Sequence, residues 1–245
     1  MKRDFVCRLR LIIDQLPRGI RESYFLFLIA KFIFRLPHKL FTFRQDYNSG
    51  KIKDLSLLYE PSSSLSLERT SKDTDINSKH LKIIYEYMKV LSPKSVLDVG
   101  CGTGFLLETL DSKLNGCEFS GVDFNCSRSF KSLNKNHFNF TSGDVNNILK
   151  SLKTNSFEIV ICAHVLEHLS KPKDLILEMR RIAKKRLILI CPLEKPYKWG
   201  LNYHVQFFKT SNEFIQFARS ENYSKNLFNH FERLGDCLYI EQIES

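Results

Sequence analysis

Three glycines fall within five positions, Gly100, Gly102 and Gly104, directly after the apolar run SVLDV (95–99) and directly before a helical pattern. Glycine permits positive φ and lets a ligand come close to the backbone. The spacing is G-x-G-x-G. The dinucleotide fingerprint G-x-G-x-x-G needs its third glycine at Phe105, where a ring opposes close helix–strand contact. Asp98 argues the same way: a carboxylate two residues ahead of the loop repels a pyrophosphate and attracts a cation. Asp123 ends the next apolar run about 20 residues on, where an acid accepts from both hydroxyls of a ribose. Phe124 offers a ring to an adenine face, and Asp144, between Gly143 and Val145, offers an acceptor to an adenine amino group. The ligand so described is nucleoside-like, with a cationic end.

A second group of residues is suited to moving protons. His164, Glu167 and His168 follow the apolar run FEIVICA (157–163), and His204 lies in LNYHVQFF (201–208). An imidazole titrates near neutrality and takes a proton from a nucleophile within hydrogen-bond reach. His164 and His204 are the candidate bases or substrate contacts. Cys191, ahead of Pro192, is read as a buried thiol rather than a nucleophile.

The elements that must position these residues alternate. SVLDV (95–99), EFSGVDF (118–124), HFNFTSGD (137–144), FEIVICA (157–163) and RLILICP (186–192) read as strands. FLLETLDSKL (105–114) and DLILEMRRIA (174–183) read as helices, the latter closed by the basic cluster Arg180, Arg181, Lys184, Lys185 and Arg186 acting on its dipole. Strands without hairpin turns of their own, separated by helices, give a mainly parallel sheet covered on both faces. Ahead of them, Ile76, Ile83, Ile84, Tyr87 and Met88 fit one buried helix face, capped by Asp75 and closed by Pro93. The tail adds a helix near 211–219 and an antiparallel pair, with DCLYIEQI (236–243) its clearer strand.

S-adenosylmethionine, a nucleoside carrying a sulfonium and an amino group, fits the ligand outlined above. Residues 95–192 resemble the class I S-adenosylmethionine-dependent methyltransferases, in the subgroup with VLEHL after the fourth strand. Asp98, Gly100, Gly102 and Gly104 match the first motif of that family, Asp123 the second, Asp144 the adenine-side acid, and AHVLEHLSKP (163–172) the segment after strand four. The resemblance implies a Rossmann-like α/β fold with a seven-stranded sheet, order 3-2-1-4-5-7-6, the seventh strand antiparallel. It implies cofactor contacts from Asp98, Gly100, Cys101, Gly102, Gly104, Asp123, Phe124, Asp144, Val145 and Ala163. It makes Glu167 and His168 shapers of the turn and brings His164 nearest the methyl group. Some related O-methyltransferases carry E-x-x-E-H after strand four and use a divalent ion. Here His164 replaces the first acid, and magnesium prefers oxygen ligands, so no metal is expected. No Asp/Asn-Pro-Pro-aromatic run and no Pro-Cys follows strand four. That argues against transfer to an adenine amine and against covalent attack on cytosine.

The first 75 residues lie outside the resemblance and differ in charge. Residues 1–53 carry twelve Lys and Arg against four Asp and Glu, a difference of +8, while the other 192 hold 25 against 23, a difference of +2. The chain is therefore divided into a basic helical arm with a polar linker or flap, 1–75, and a methyltransferase domain, 76–245. The nearly even charge of residues 54–245 argues against a nucleic-acid partner. YFLFLIAKFIF (24–34), ended by Pro37, is too short to span a bilayer. It is either a helix packed on the domain or a peripheral membrane contact formed by residues 18–44. Tyr59 and Arg69 of the flap, and Tyr197, Trp199 and Tyr203 of the loop after strand five, are further candidates for the substrate wall. Seven irregularly spaced cysteines with no CxxC pair point to reduced thiols in a cytosolic compartment. The expected function is O-directed methyl transfer to a small or lipid-linked polar acceptor, such as a sugar or polyprenyl-type intermediate. The competing reading is a non-catalytic module of the same fold, docked through its arm to a membrane or protein. Nothing in the sequence fixes the oligomeric state.

Overall fold

The structure is a computed structural model, and it describes residues 11–25, 28, 29, 32, 38–52, 55, 76, 78–124, 137–196, 202–219, 228–233 and 235–243. Seven strands form one sheet: β1 (Ser95–Val99), β2 (Glu118–Asp123), β3 (Phe138–Ser142), β4 (Phe157–Ala163), β5 (Ala183–Pro192), β6 (Phe228–Arg233) and β7 (Asp236–Gln242). The order is β3-β2-β1-β4-β5-β7-β6, as the resemblance implies. The first five strands pair in parallel, and β7 runs antiparallel to both β5 and β6.

Alternation along the strands sends side chains to two apolar layers. Val96, Ile159, Ile161, Ile188 and Ile190 pack against α2 (Ser78–Leu91) and α3 (Phe105–Asp111), through Ile84, Met88, Leu106, Leu107 and Leu110. On the other face Leu97, Val99, Val160, Leu187 and Leu189 meet α4 (Val145–Ser151), α5 (Pro172–Ile182) and α6 (Ser211–Ala218). Burying a Leu or Ile side chain contributes about 1.5–3 kcal/mol, so these two layers dominate the stability of the domain.

Three local expectations are corrected. α4 was not expected at all: Asp144 caps it, accepting from the backbone N–H of Asn147 at 3.2 Å. β5 begins at Ala183, so Lys184, Lys185 and Arg186 lie in a strand and not at a helix end. The basic cluster has specific partners. Arg180 is buried with two bonds to Glu241, from Nε at 2.8 Å and Nη2 at 2.7 Å, while Tyr239 donates to the same carboxylate. Arg181 holds Glu178 and the carbonyls of Leu149 and Leu152 at the end of α4, and Lys185 pairs with Glu158 at 2.8 Å.

The third correction concerns the arm. A helix, α1 (His38–Asn48), runs into the stretch read as polar linker. Its Phe43 is buried edge-on against Tyr203, with ring centroids 5.0 Å apart. Arg44 donates to Asn202 Oδ1 at 3.2 Å and lies over the Phe207 ring. α1 is thus fastened to the loop that follows β5. Further up the arm, residues 11–15, Arg18–Arg21 and the positions Tyr24, Phe25, Leu28, Ile29 and Phe32 are also helical. The flap residues Tyr59 and Arg69, the cap Asp75, and Tyr197 and Trp199 fall outside the described residues.

Candidate active site

Strand order reverses between β1 and β4, which opens a crevice at their carboxyl ends. The glycine loop lies there. The N–H groups of Gly100 and Cys101 both donate to Val122 O, at 2.7 and 3.1 Å, and Gly104 N donates to Cys101 O at 2.8 Å. The turn needs φ of 77° at Gly100, 53° at Gly102 and 75° at Gly104, a region that side chains other than glycine enter at a cost of about 1–3 kcal/mol. A Cβ on Gly100 would come 2.1 Å from Val165 Cγ2, so the loop is closed from behind by the residue after His164. Gly121 is confined as well: a Cβ there would come 2.7 Å from Cys101 Sγ and from the Phe140 ring.

Two carboxylates face this loop. Asp123 Oδ2 accepts from Gly102 N at 2.8 Å, which fixes the acid against the bare backbone. Asp98 is buried at 3% exposure. Loss of solvent, and then the charge of Asp123, push its carboxyl up to about 7. A pocket with two acids so close favours a cation arriving from outside, since its charge would relieve both the desolvation and the repulsion. The donor set therefore suits a cationic nucleoside derivative and opposes a pyrophosphate, as the sequence indicates. Phe124 and Ala163, at the ends of β2 and β4, are half-buried beside the crevice, as is Val145 at the head of α4. Asp144 is exposed and engaged as a helix cap.

Beyond β4 the chain gathers ionisable groups from five elements. His164 follows β4 directly with φ of 56°, a strained value for histidine, and is buried at 5% exposure. Its Nδ1 lies 3.2 Å from Glu167 Oε1, and its Nε2 lies 3.9 Å from Asp236 Oδ2 at the start of β7. Glu167 and His168 occupy a 3₁₀ turn, Leu166–His168. The carbonyl of Glu167 accepts from Val205 N and Gln206 N, so this turn anchors the loop after β5. His168 Nδ1 lies 3.1 Å from Tyr203 O, an oxygen that only accepts, so Nδ1 carries the proton and Nε2 the lone pair. His204 stacks edge-on against His168 with centroids 4.8 Å apart, and its Nδ1 lies 2.5 Å from Glu194 Oε1. Asn202 Nδ2 donates to both oxygens of Glu194, at 3.0 and 3.1 Å. The Nε2 of His204 lies 4.0 Å from Glu167 Oε1. Cys191 is wholly buried and its thiol is pushed well up, first by burial and then by Glu167, so it is no nucleophile.

Residues 97–191 match the family model described as a methyltransferase domain. Over that span the chain is similar to a methyltransferase domain. The Ubiquinone biosynthesis O-methyltransferase of Coxiella burnetii is 36% identical over 108 residues, 41% of this chain and 43% of that protein. The protein of the same name in Nitrosomonas europaea is 30% identical over 118 residues, 45% of this chain and 48% of that protein. The chain thus spans less than half the length of these curated relatives. A solved S-adenosylmethionine-dependent methyltransferase from Aquifex aeolicus superposes with a TM-score of 0.51 at 18% identity, over 69% of this chain and 100% of that one. The sheet accordingly has the Rossmann-like fold seen in that structure.

The glycines, Asp98, Cys101 and Asp123 converge on one crevice. His164 and His204 converge too, with Glu167 Oε1 between them. Sequence reasoning missed Glu194, Asn202, Asp236 and Arg44. Their one local signal was an acid just beyond or just inside an apolar strand, Glu194 after LILICPL and Asp236 before CLYI.

Proposed function

We propose that this chain transfers a methyl group from S-adenosylmethionine to an oxygen of a small or lipid-linked polar acceptor, and that it belongs to the VLEHL-type subgroup. One observation carries the reading: a glycine loop flanked by two acids shares a sheet edge with a buried imidazole–carboxylate cluster. The names of the curated relatives support oxygen as the acceptor atom and a lipid-like acceptor. When bound, the cofactor supplies an electrophilic methyl on a good leaving group, and the protein must align, desolvate and deprotonate. Asp98 faces the cationic end and Asp123 the ribose. His204 Nε2 takes the proton of the acceptor hydroxyl, while Glu194 holds the tautomer and stabilises the imidazolium that forms. His164, between Glu167 and Asp236, shapes the acceptor wall. The test is methyl-labelled cofactor incubated with a cell lipid extract. Label in a base-stable ether on an extractable product is expected. Label only in protein or nucleic acid would sink the acceptor class.

A second reading has an observation of its own. The ligand atoms of Glu167, His168 and His204 lie within 4.8 Å of one another. Two imidazoles and one carboxylate suit zinc, manganese or iron better than magnesium. The same Nε2 of His204 serves either role, so the readings exclude one another. Turnover unchanged by EDTA is the expected result. A saturable divalent requirement, lost in His168→Ala, would favour the metal.

A further inference from the structure

We propose that residues 11–25, together with Leu28, Ile29 and Phe32, form a docking surface for an anionic lipid bilayer. Leu11, Ile12, Leu16, Ile20, Tyr24, Phe25, Leu28, Ile29 and Phe32 are all exposed, Phe25 at 69% and Phe32 at 87%. Among the described residues, Val90 and Leu177 are the exposed large apolar side chains elsewhere in the chain. A soluble surface scatters such residues singly; nine in one short stretch mark a contact site. Their spacing is ordered. Positions 24, 25, 28, 29 and 32 fall on one side of a helix, the arrangement of an interfacial helix and not of random exposure. Packing on the domain would have buried Phe25 and Phe32, and it does not.

The occupant follows from charge. The arm carries +8 within residues 1–53. A second copy would set that charge against its equal, whereas an anionic head-group layer neutralises it. Depth follows from length: among the described residues, no helix is long and apolar enough to cross a membrane, so the arm lies in the plane of the surface. The arm is also tied to the acceptor end of the domain. Arg21 reaches Asp14 at 4.0 Å, and Lys195 Nζ donates to Asp14 O at 3.0 Å, one residue beyond Glu194. α1 then continues the connection through Phe43 and Arg44. The bilayer would thus meet the molecule beside the loop after β5. The inference rests on the arm and is independent of the methyl-transfer reading.

The test is co-sedimentation of the full chain with vesicles of equal parts phosphatidylglycerol and phosphatidylcholine, and with pure phosphatidylcholine. The chain should pellet with the anionic vesicles at low salt, stay in solution with the neutral ones, and release as salt is raised. Phe25→Glu and Phe32→Glu should each weaken partitioning roughly tenfold, the scale of withdrawing one aromatic side chain from the acyl boundary. Both side chains are exposed, so the melting temperature should not move. Arg18→Glu, an exposed position that leaves the apolar face intact, should lower the salt concentration at which release occurs. A full chain that ignores anionic vesicles, or binds both kinds equally, overturns the proposal. So does a dimer in solution that Phe32→Glu dissociates while vesicle binding is absent.

Discussion

The glycine loop and the cluster beyond β4 lie at the same edge of the sheet, yet they are built differently. The loop is held by backbone: three positive φ angles, three main-chain hydrogen bonds and one carboxylate on a bare N–H. The cluster is held by side chains, with His164, Glu167, His204, Glu194 and Asp236 drawn from segments as far apart as β4 and β7. A backbone-built site tolerates few substitutions and leaves a local signature. A side-chain-built site can be rewired residue by residue, and so can follow its acceptor while the cofactor stays the same. Val165 joins the two, since it closes Gly100 while its neighbour His164 opens the cluster.

If that contrast is right, the largest effect belongs to the backbone. Gly102→Val should leave no measurable S-adenosylmethionine binding in a folded protein, because a β-branched residue is strained at φ of 53° and fills the approach. Calorimetry against a circular dichroism control reads it. Retained affinity would break the comparison at its root.

Next is the pH behaviour of Asp98. Its folded carboxyl titrates near 7, against 3.8 for the free group. Between those values the folded state holds a proton that the unfolded chain has lost. Stability without cofactor therefore falls as pH rises through that window, by about 4 kcal/mol if the whole shift counts. A bound sulfonium reverses the preference, so cofactor affinity should rise over the same range with release of a proton. Asp98→Asn should flatten both profiles. Denaturant titrations and calorimetry in buffers of different ionisation enthalpy measure the two arms.

The cluster predicts a different pattern. His204→Ala should lower kcat about a hundredfold, near 3 kcal/mol, with cofactor affinity unchanged. Glu194→Gln should lower kcat less and shift the pH–rate profile, since it keeps the hydrogen bond but removes the charge. A loss of cofactor binding in either would mean the two regions are not separable. The smallest effect is Asp123→Ala, which should weaken cofactor binding by about 1–3 kcal/mol, the scale of hydrogen bonds to a charged group.

The same contrast explains what the sequence could reveal. Gly100, Gly102, Gly104 and Asp123 were legible because a tight turn between strand and helix constrains consecutive residues. Six of the seven strands were legible from apolar runs, and β6, FNHFER, was weak because most of its side chains are exposed or half-buried. α4 was not, since VNNILKS buries only Leu149 and its cap, Asp144, could also be read as a ligand acid. Glu194 and Asp236 reach His204 and His164 across the fold, and no spacing along the chain encodes such distances. Arg180 was taken for a cation on a helix end, because its buried partner Glu241 lies 61 positions away in the chain. The arm was left between two readings because its charge and apolarity suit both. In the structure α1 packs on the domain through Phe43, while Phe25 and Phe32 are exposed.

One feature of the sheet bears on how the molecule is made. β7 lies between β5 and β6 although it follows both in the chain. A nascent polypeptide still lacking residues from Asp236 onward has a bare β5 edge, an unpartnered β6 and an Arg180 without Glu241. Such an intermediate exposes an open strand edge and a buried-type cation, the features that attract aggregation and chaperones. The domain can close only when its last strand has cleared the ribosome and slid between its two neighbours. Protease resistance of chains stalled behind an appended carboxyl-terminal linker should therefore appear in a single step, once the linker is long enough for β7 to leave the exit tunnel.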